Sequence, residues 1–235
     1  MPVSRKTFLS STAVAASAAL LADKTRVAAA SPGAGLHFHV LTQTEYDHAL
    51  MMKKITAPAP HKQVFQSVSP LLITPTIASV YIHMQNAMNG YQYSLGYGPS
   101  SLATLAVFIG PSIVLGLNDA MWKKYNIGTA LNLASTNIYY KATSNLDPAA
   151  APDDPNGLYQ DWSAEAVLKR GGTFMVCHNA TTAVAALFAS KTGRTPQAVL
   201  TDFKQNFLPE FMLVPAGVTA VQLAQENGWK VYPII

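Results

Sequence analysis

The chain has 235 residues, of which 49% are hydrophobic and only 12% are charged. This is enough apolar material for one well-buried domain with extensions, and it excludes a chain that is disordered over its whole length. The formal net charge is +4, but residues 1–30 hold four of the basic residues and one acidic residue, which leaves 12 basic and 11 acidic residues elsewhere. The nearly neutral remainder argues against a nucleic-acid partner.

The first 30 residues have the layout of an export signal. A short basic stretch with Arg5 and Lys6 precedes an apolar, alanine-rich run at 10–22, and cleavage is predicted after Ala30. The string SRKTFL at 4–9 resembles a twin-arginine signal with lysine in place of the second arginine, so both the twin-arginine and the general secretory routes stay open. About 13 apolar residues are too few to cross a ~30 Å hydrocarbon core. We therefore expect a periplasmic or otherwise exported protein with no stable membrane span after cleavage; an uncut anchor is the alternative.

The rest of the chain is predicted to hold an N-terminal extension, 31–62, and one domain, 63–235. Apolar runs and helical periodicity alternate along the domain. Strands are predicted at 63–68, 102–109, 173–177, 211–215 and 229–234. Helices are predicted at 44–55 in the extension and at 76–88, 120–125, 163–170, 180–190, 195–206 and 218–227. Such alternation predicts an α/β fold with a mostly parallel sheet covered on both faces.

One long segment, at about 127–162, resists regular assignment. Asn, Pro, Asp and Gly accumulate at 144–148 and 153–157, where they indicate turns. We predict an insertion loop whose aromatic residues, among them Tyr139, Tyr140, Tyr159 and Trp162, cover part of a surface.

Three strings near the C-terminus carry a family resemblance: GTFMVCHNA at 172–180, LPEFMLVPAGV at 208–218 and LAQENGWKVY at 223–232. They resemble the DsrE-like family, well over 163–235 and loosely over 63–125. The resemblance implies a three-layer α/β/α domain that assembles into a homo-oligomer, a trimer or a hexamer. It also implies a role in sulfur relay, with a cysteine persulfide exchanged with a sulfur donor or acceptor protein.

Cys177 is the single cysteine of the chain, so it cannot form an intramolecular disulfide. It ends a predicted strand and precedes a helix, where the helix dipole would favour a thiolate. The carboxyl ends of parallel strands are also where ligand crevices form. Cys177, His178 and Asn179 are therefore the predicted catalytic residues, with His178 assisting proton transfer. A buried, inert thiol and an intersubunit contact are the other two interpretations of Cys177.

Two other classes of function stay open at this stage. A noncatalytic oligomer that binds a small ligand or a partner predicts a buried Cys177 without thiol reactivity. A metal-binding protein would use His37 and His39, which are spaced as on one face of a strand, yet the pattern is weak without a fixed third ligand. No glycine-rich nucleotide motif occurs, so no cofactor is predicted.

Overall fold

The computed structural model describes residues 37–234. The predicted signal, 1–30, and the first residues of the extension lie outside these residues. In chain order the strands are β1 (His61–Ser67), β2 (Leu72–Thr74), β3 (Ile77–Ala78), β4 (Leu102–Phe108), β5 (Thr173–Cys177), β6 (Phe211–Val214) and β7 (Lys230–Ile234). Five of them form one parallel sheet in the order β6-β5-β4-β1-β7. The other two, β2 and β3, form a small antiparallel hairpin.

Eight α-helices are found in the described residues. They are α1 (His48–Ile55), α2 (Ser79–Asn89), α3 (Asp119–Tyr125), α4 (Ile127–Leu131), α5 (Ala164–Lys169), α6 (His178–Thr192), α7 (Pro196–Gln205) and α8 (Gly217–Glu226). A turn of π-helix, Gly90–Ser94, continues α2, and 3-10 turns lie at Gly110–Gly116 and Leu158–Gln160. Between residues 37 and 234, none of the helices combines the length and the apolarity needed to cross a bilayer.

The sheet separates two apolar cores. Alternate residues of each strand point to opposite faces: in β4, Leu105 and Val107 join one core, and Ala106 and Phe108 join the other. The core with Leu105 packs against α1 and α8, and the core with Phe108 packs against the 3-10 turn after β4 and against α2 to α7. The protein is therefore a three-layer α/β/α sandwich, and the predicted fold class is confirmed.

Three local details differ from the sequence predictions. The hairpin of β2 and β3 occupies part of the segment 72–78, so α2 begins at Ser79 rather than at residue 76. Helix α6 begins at His178, two residues earlier than predicted. Within the irregular segment, α4 forms between Asn126 and Asn132, whose left-handed backbones (φ 50° and 56°) end the neighbouring helices.

The segment at 127–162 is anchored to α2 near its end. Nη1 of Arg170 donates to Gln85 and Asn89, each at 2.6 Å, and its guanidinium lies 4.9 Å from the centre of the Tyr159 ring. Gln85 donates in turn to the backbone oxygens of Leu158 and Asp161, at 3.0 and 2.8 Å. Leu158, Tyr159 and Asp161 are buried. This end of the segment is thus packed into the domain rather than free at its surface.

Candidate functional site

Cys177 lies where the chain passes from strand to helix. It is the last residue of β5, and α6 begins at His178. The Cys177 backbone is still extended (φ −72°, ψ 120°), and its Sγ accepts the N–H of Ala180 at 3.3 Å, which makes the thiol the N-terminal cap of the helix. The Thr181 hydroxyl donates to the Cys177 carbonyl oxygen at 2.8 Å. The sulfur therefore faces the positive end of a 15-residue helix, and the residue is only 4% exposed.

The first residue of α8 forms a wall beside Cys177. A Cβ atom at Gly217 would lie 3.1 Å from Cβ of Cys177 and 2.5 Å from Cγ1 of Ile109, the residue that follows β4. Val214, the last residue of β6, pairs with Cys177. The carboxyl ends of three neighbouring strands thus meet the beginnings of two helices here, and only a glycine permits this close approach of α8.

The side chain of His178 is a buried imidazole. The residue is 1% exposed, and neither ring nitrogen has a hydrogen-bond partner among residues 37–234. Burial lowers the pKa of His178 below its usual value, and the charges of Lys204 and His39 lower it further. The ring is therefore neutral at pH 7, with one nitrogen able to accept a proton and the other able to donate one.

His39, from the extension, lies next to His178. The two rings meet edge-on with their centroids 6.4 Å apart. Nε2 of His39 is 2.7 Å from Oε1 of Glu45, and Oε2 of Glu45 accepts the backbone N–H and the hydroxyl of Thr42, each at 2.9 Å. The Thr42 N–H and the His39 ring lower the pKa of Glu45 to about 2, so the carboxylate is charged at any pH near neutrality. A carboxylate-imidazole pair thus stands beside the buried imidazole.

The three predicted catalytic residues lie together, but they do not form a bonded pair or triad. Cys177 and His178 are consecutive, yet the unpartnered His178 ring nitrogens exclude a hydrogen bond to the thiol in this conformation. Asn179 lies in the first turn of α6 and is partly buried. The site therefore has a capped thiol and a neighbouring proton acceptor, which act together only if a bound substrate links them.

The other histidines of the extension and domain are dispersed. His48 stacks on Tyr46 at 5.9 Å, His61 lies at the start of β1, and His83 packs on Tyr232 at 5.2 Å. His37 is exposed. In the part of the chain that the structure describes, no three His, Cys, Asp or Glu side chains are arranged to hold a metal ion. The predicted pairing of His37 with His39 thus gains no third ligand.

No known protein-family model, curated protein or solved structure matches this chain. The resemblance to the DsrE-like family therefore stays a prediction.

Sequence reasoning missed two residues of this site. Glu45 could have been found, since Thr42 and Glu45 have the Thr-x-x-Glu spacing of a helix capping box. Gly217 stands in one of the strings that carry the resemblance, but its closeness to Cys177 depends on two helices meeting at the sheet edge. No local pattern reports such a contact.

Proposed function

We propose that this chain is an exported sulfur carrier of the DsrE-like type, which holds sulfur as a persulfide on Cys177. The observation that carries the proposal is the hydrogen bond from Ala180 N–H to Cys177 Sγ at the carboxyl edge of the sheet. The positive end of the helix dipole favours negative charge near a capping sulfur, on Sγ in a thiolate and on the outer sulfur in a persulfide.

The step proposed is a sulfur exchange that needs no outside oxidant. The Cys177 thiolate attacks the terminal sulfur of a donor persulfide or polysulfide. A new S–S bond forms at Sγ, and the old S–S bond of the donor breaks, so that the donor leaves as a thiolate or as a polysulfide shortened by one sulfur. The number of S–S bonds and the charge are both conserved.

His178 is proposed as the proton acceptor for this step. Its ring is neutral and has no partner, among the described residues, that would compete for a proton. Removal of the thiol proton by His178, through a bound donor molecule that links the two groups, would give the thiolate that attacks. The Glu45 carboxylate favours the protonated form of His178 and raises its pKa, although burial, Lys204 and His39 together lower it by more.

The test is sulfur loading of the full-length protein. The protein is incubated with inorganic polysulfide, and its intact mass is followed with time for the wild type, Cys177→Ala and His178→Leu. We expect the wild type to gain the mass of one sulfur atom, Cys177→Ala to gain none, and His178→Leu to gain it at least about tenfold more slowly. The gain should disappear on addition of a thiol reductant.

The competing function is a noncatalytic binding protein, and the burial of Cys177 favours it. At 4% exposure the thiol is covered in this conformation, and a buried cysteine is often an inert apolar residue. The two functions differ in the rate of alkylation of Cys177. Labelling of the folded protein within minutes supports the carrier, whereas labelling only after denaturation, with no sulfur gained from polysulfide, leaves the binding protein.

The proposal also includes export of the protein and its assembly into a homo-oligomer, and each is tested by its own measurement. The intact mass of protein recovered from the periplasmic fraction should correspond to a chain that begins at Ser31. Retention of residues 1–30 would contradict the signal. Light scattering of the purified protein should give the mass of a trimer or hexamer, and a monomer would contradict the assembly implied by the resemblance.

A further inference from the structure

A cavity of about 350 Å³ opens at the other edge of the sheet, where β1, β4 and β7 begin. Among its walls are the first residues of these strands, His61, Leu102 and Lys230, and Tyr91 from the π-helical turn. Its volume falls in the range of about 300–1,000 Å³ that is typical of sites for small molecules. The proposed sulfur chemistry makes no use of this cavity.

The charge of the cavity is of one sign. Lys62 and Lys230 both line it, and no Asp or Glu is found among its described lining residues. Nζ of Lys62 donates to the backbone oxygen of Asn227 at 3.2 Å, which fixes the ammonium group near the end of α8; its other two N–H groups have no acceptor among residues 37–234. Lys230 is exposed and unrestrained by an ion pair within residues 37–234. An anion is the ligand that such a pair of lysines attracts.

Two aromatic rings, those of His61 and Tyr91, form part of the cavity wall. Their centroids are 4.7 Å apart, and the Tyr97 ring, which is outside the cavity lining, lies 4.8 Å from His61 and 5.8 Å from Tyr91. Leu102, 8% exposed, adds an apolar surface. Gln63 supplies a side-chain amide. Planar groups stack on such rings at distances of this order.

We infer that this cavity binds a small, flat organic anion, with its ring system against Tyr91 and His61 and its carboxylate or phosphate group against Lys62 and Lys230. The inference concerns a second site and does not depend on the proposed role of Cys177. The inference rests on two features of the lining: cationic groups, which favour a negatively charged ligand, and aromatic rings, which favour a flat one.

Calorimetric titration of the full-length protein with four probes tests both features. Naphthalene carboxylate is flat and anionic; naphthalene carboxamide is flat and neutral; cyclohexane carboxylate is anionic and not flat; inorganic phosphate carries charge alone. We expect the first to bind about tenfold more tightly than each of the others, and its affinity to fall as salt is raised, since screening weakens the contact with the lysines.

Variants locate the binding. Lys230→Met keeps the length of the side chain and removes the charge, and Tyr91→Leu removes the ring. Each substitution should lower the affinity for naphthalene carboxylate by about three- to tenfold. Lys191→Met, at the exposed end of α6, is the matched control and should bind like the wild type. Thermal unfolding by circular dichroism checks that each variant is folded. If Tyr91→Leu does not fold, the affinity of Lys230→Met alone tests the inference.

Three results would overturn the inference: no heat of binding with naphthalene carboxylate at millimolar concentration, equal affinity for the carboxylate and the carboxamide, or equal weakening by Lys230→Met and Lys191→Met. Amide shifts in a ¹H–¹⁵N spectrum give an independent location. Shifts at Gln63, Gly228 and Lys230 support the cavity, and shifts confined to the Cys177 edge contradict it.

Discussion

His178 is the residue whose environment is least explained by packing alone. A buried imidazole whose two nitrogens find no hydrogen-bond partner among residues 37–234 costs stability, because each nitrogen has lost its contact with water without gaining another. We therefore expect His178→Leu to leave the free energy of unfolding at pH 7 unchanged or to raise it by about 1 kcal/mol. Sulfur loading at Cys177 should nevertheless slow, which separates a functional histidine from a structural one.

The pH dependence of stability gives the same substitution a second readout. Burial lowers the pKa of His178 in the folded protein, so the unfolded chain takes up a proton at a higher pH than the folded chain does. The wild type should lose stability as pH falls below about 6.5, and His178→Leu should lose less over that window. Urea unfolding at pH 7, 6 and 5 measures the difference. Parallel pH profiles of stability for the wild type and His178→Leu would contradict the argument.

His48→Leu is the matched control for the effect of His178→Leu on sulfur loading. This variant should load sulfur at the wild-type rate.

Gly217 is the residue on which the geometry of the thiol edge depends. A methyl group there would lie 2.5 Å from Cγ1 of Ile109, closer than packed carbon atoms come, and a tight 3.1 Å from Cβ of Cys177, so Gly217→Ala must displace the Ile109 side chain or α8. We expect a loss of about 1–3 kcal/mol in the free energy of unfolding and faster alkylation of Cys177 as the wall opens.

Gly90→Ala is the matched control for Gly217→Ala. Gly90 has a helical backbone (φ −58°, ψ −48°), and a methyl group added there would meet no neighbouring group within 4 Å. Alanine at this position should leave stability unchanged or raise it by about 0.5–1 kcal/mol. Denaturant unfolding of the two variants compares them directly, and equal losses would show that the contact beside Cys177 is not what makes Gly217 necessary.

At the scale of elements, Arg170 joins α2 to the end of the segment at 127–162. Its planar fork reaches Gln85, Asn89 and Gln92 at once and covers Tyr159. A lysine cannot reproduce that geometry, so Arg170→Lys should cost about 1–3 kcal/mol. Amide hydrogen exchange should become faster in the segment 132–162 and stay as in the wild type in β4 and β5. Lys169→Met, one residue away and exposed, should change neither; faster exchange throughout the domain would argue for global rather than local loosening.

The elements that can be predicted from sequence are those with a local signal. A continuous apolar run bounded by Gly172 predicts the strand at 173–177, and Thr195 followed by Pro196 marks the start of α7. The start of α6 escapes prediction because cysteine is not among the usual capping residues, although its sulfur accepts the Ala180 N–H here. The prediction of helix over β3 is wrong because Ile77 also fits helical spacing.

In the candidate site, too, some features can be predicted from local sequence and others depend on tertiary packing. The place of Cys177 at a strand end is a local property, and the sequence predicts it. The approach of His39 to His178 is not predictable, since it joins the extension to the domain through tertiary packing. The same holds for the cavity lined by His61, Tyr91 and Lys230, which three separated segments bring together.

At the scale of the whole molecule, the parallel sheet holds the two candidate sites apart. The cavity lies where β4 begins, at Leu102, and Cys177 lies level with the end of β4, beyond Phe108, so about 20 Å of strand separates them. Sites this far apart with no shared side chains change independently. Cys177→Ala should therefore leave the affinity for naphthalene carboxylate as in the wild type, and Lys230→Met should leave the rate of sulfur loading as in the wild type. The double variant should lose sulfur loading as Cys177→Ala does and bind naphthalene carboxylate as weakly as Lys230→Met does. A departure of more than about twofold in either the loading rate or the affinity would mean that the two sites are coupled through the sheet.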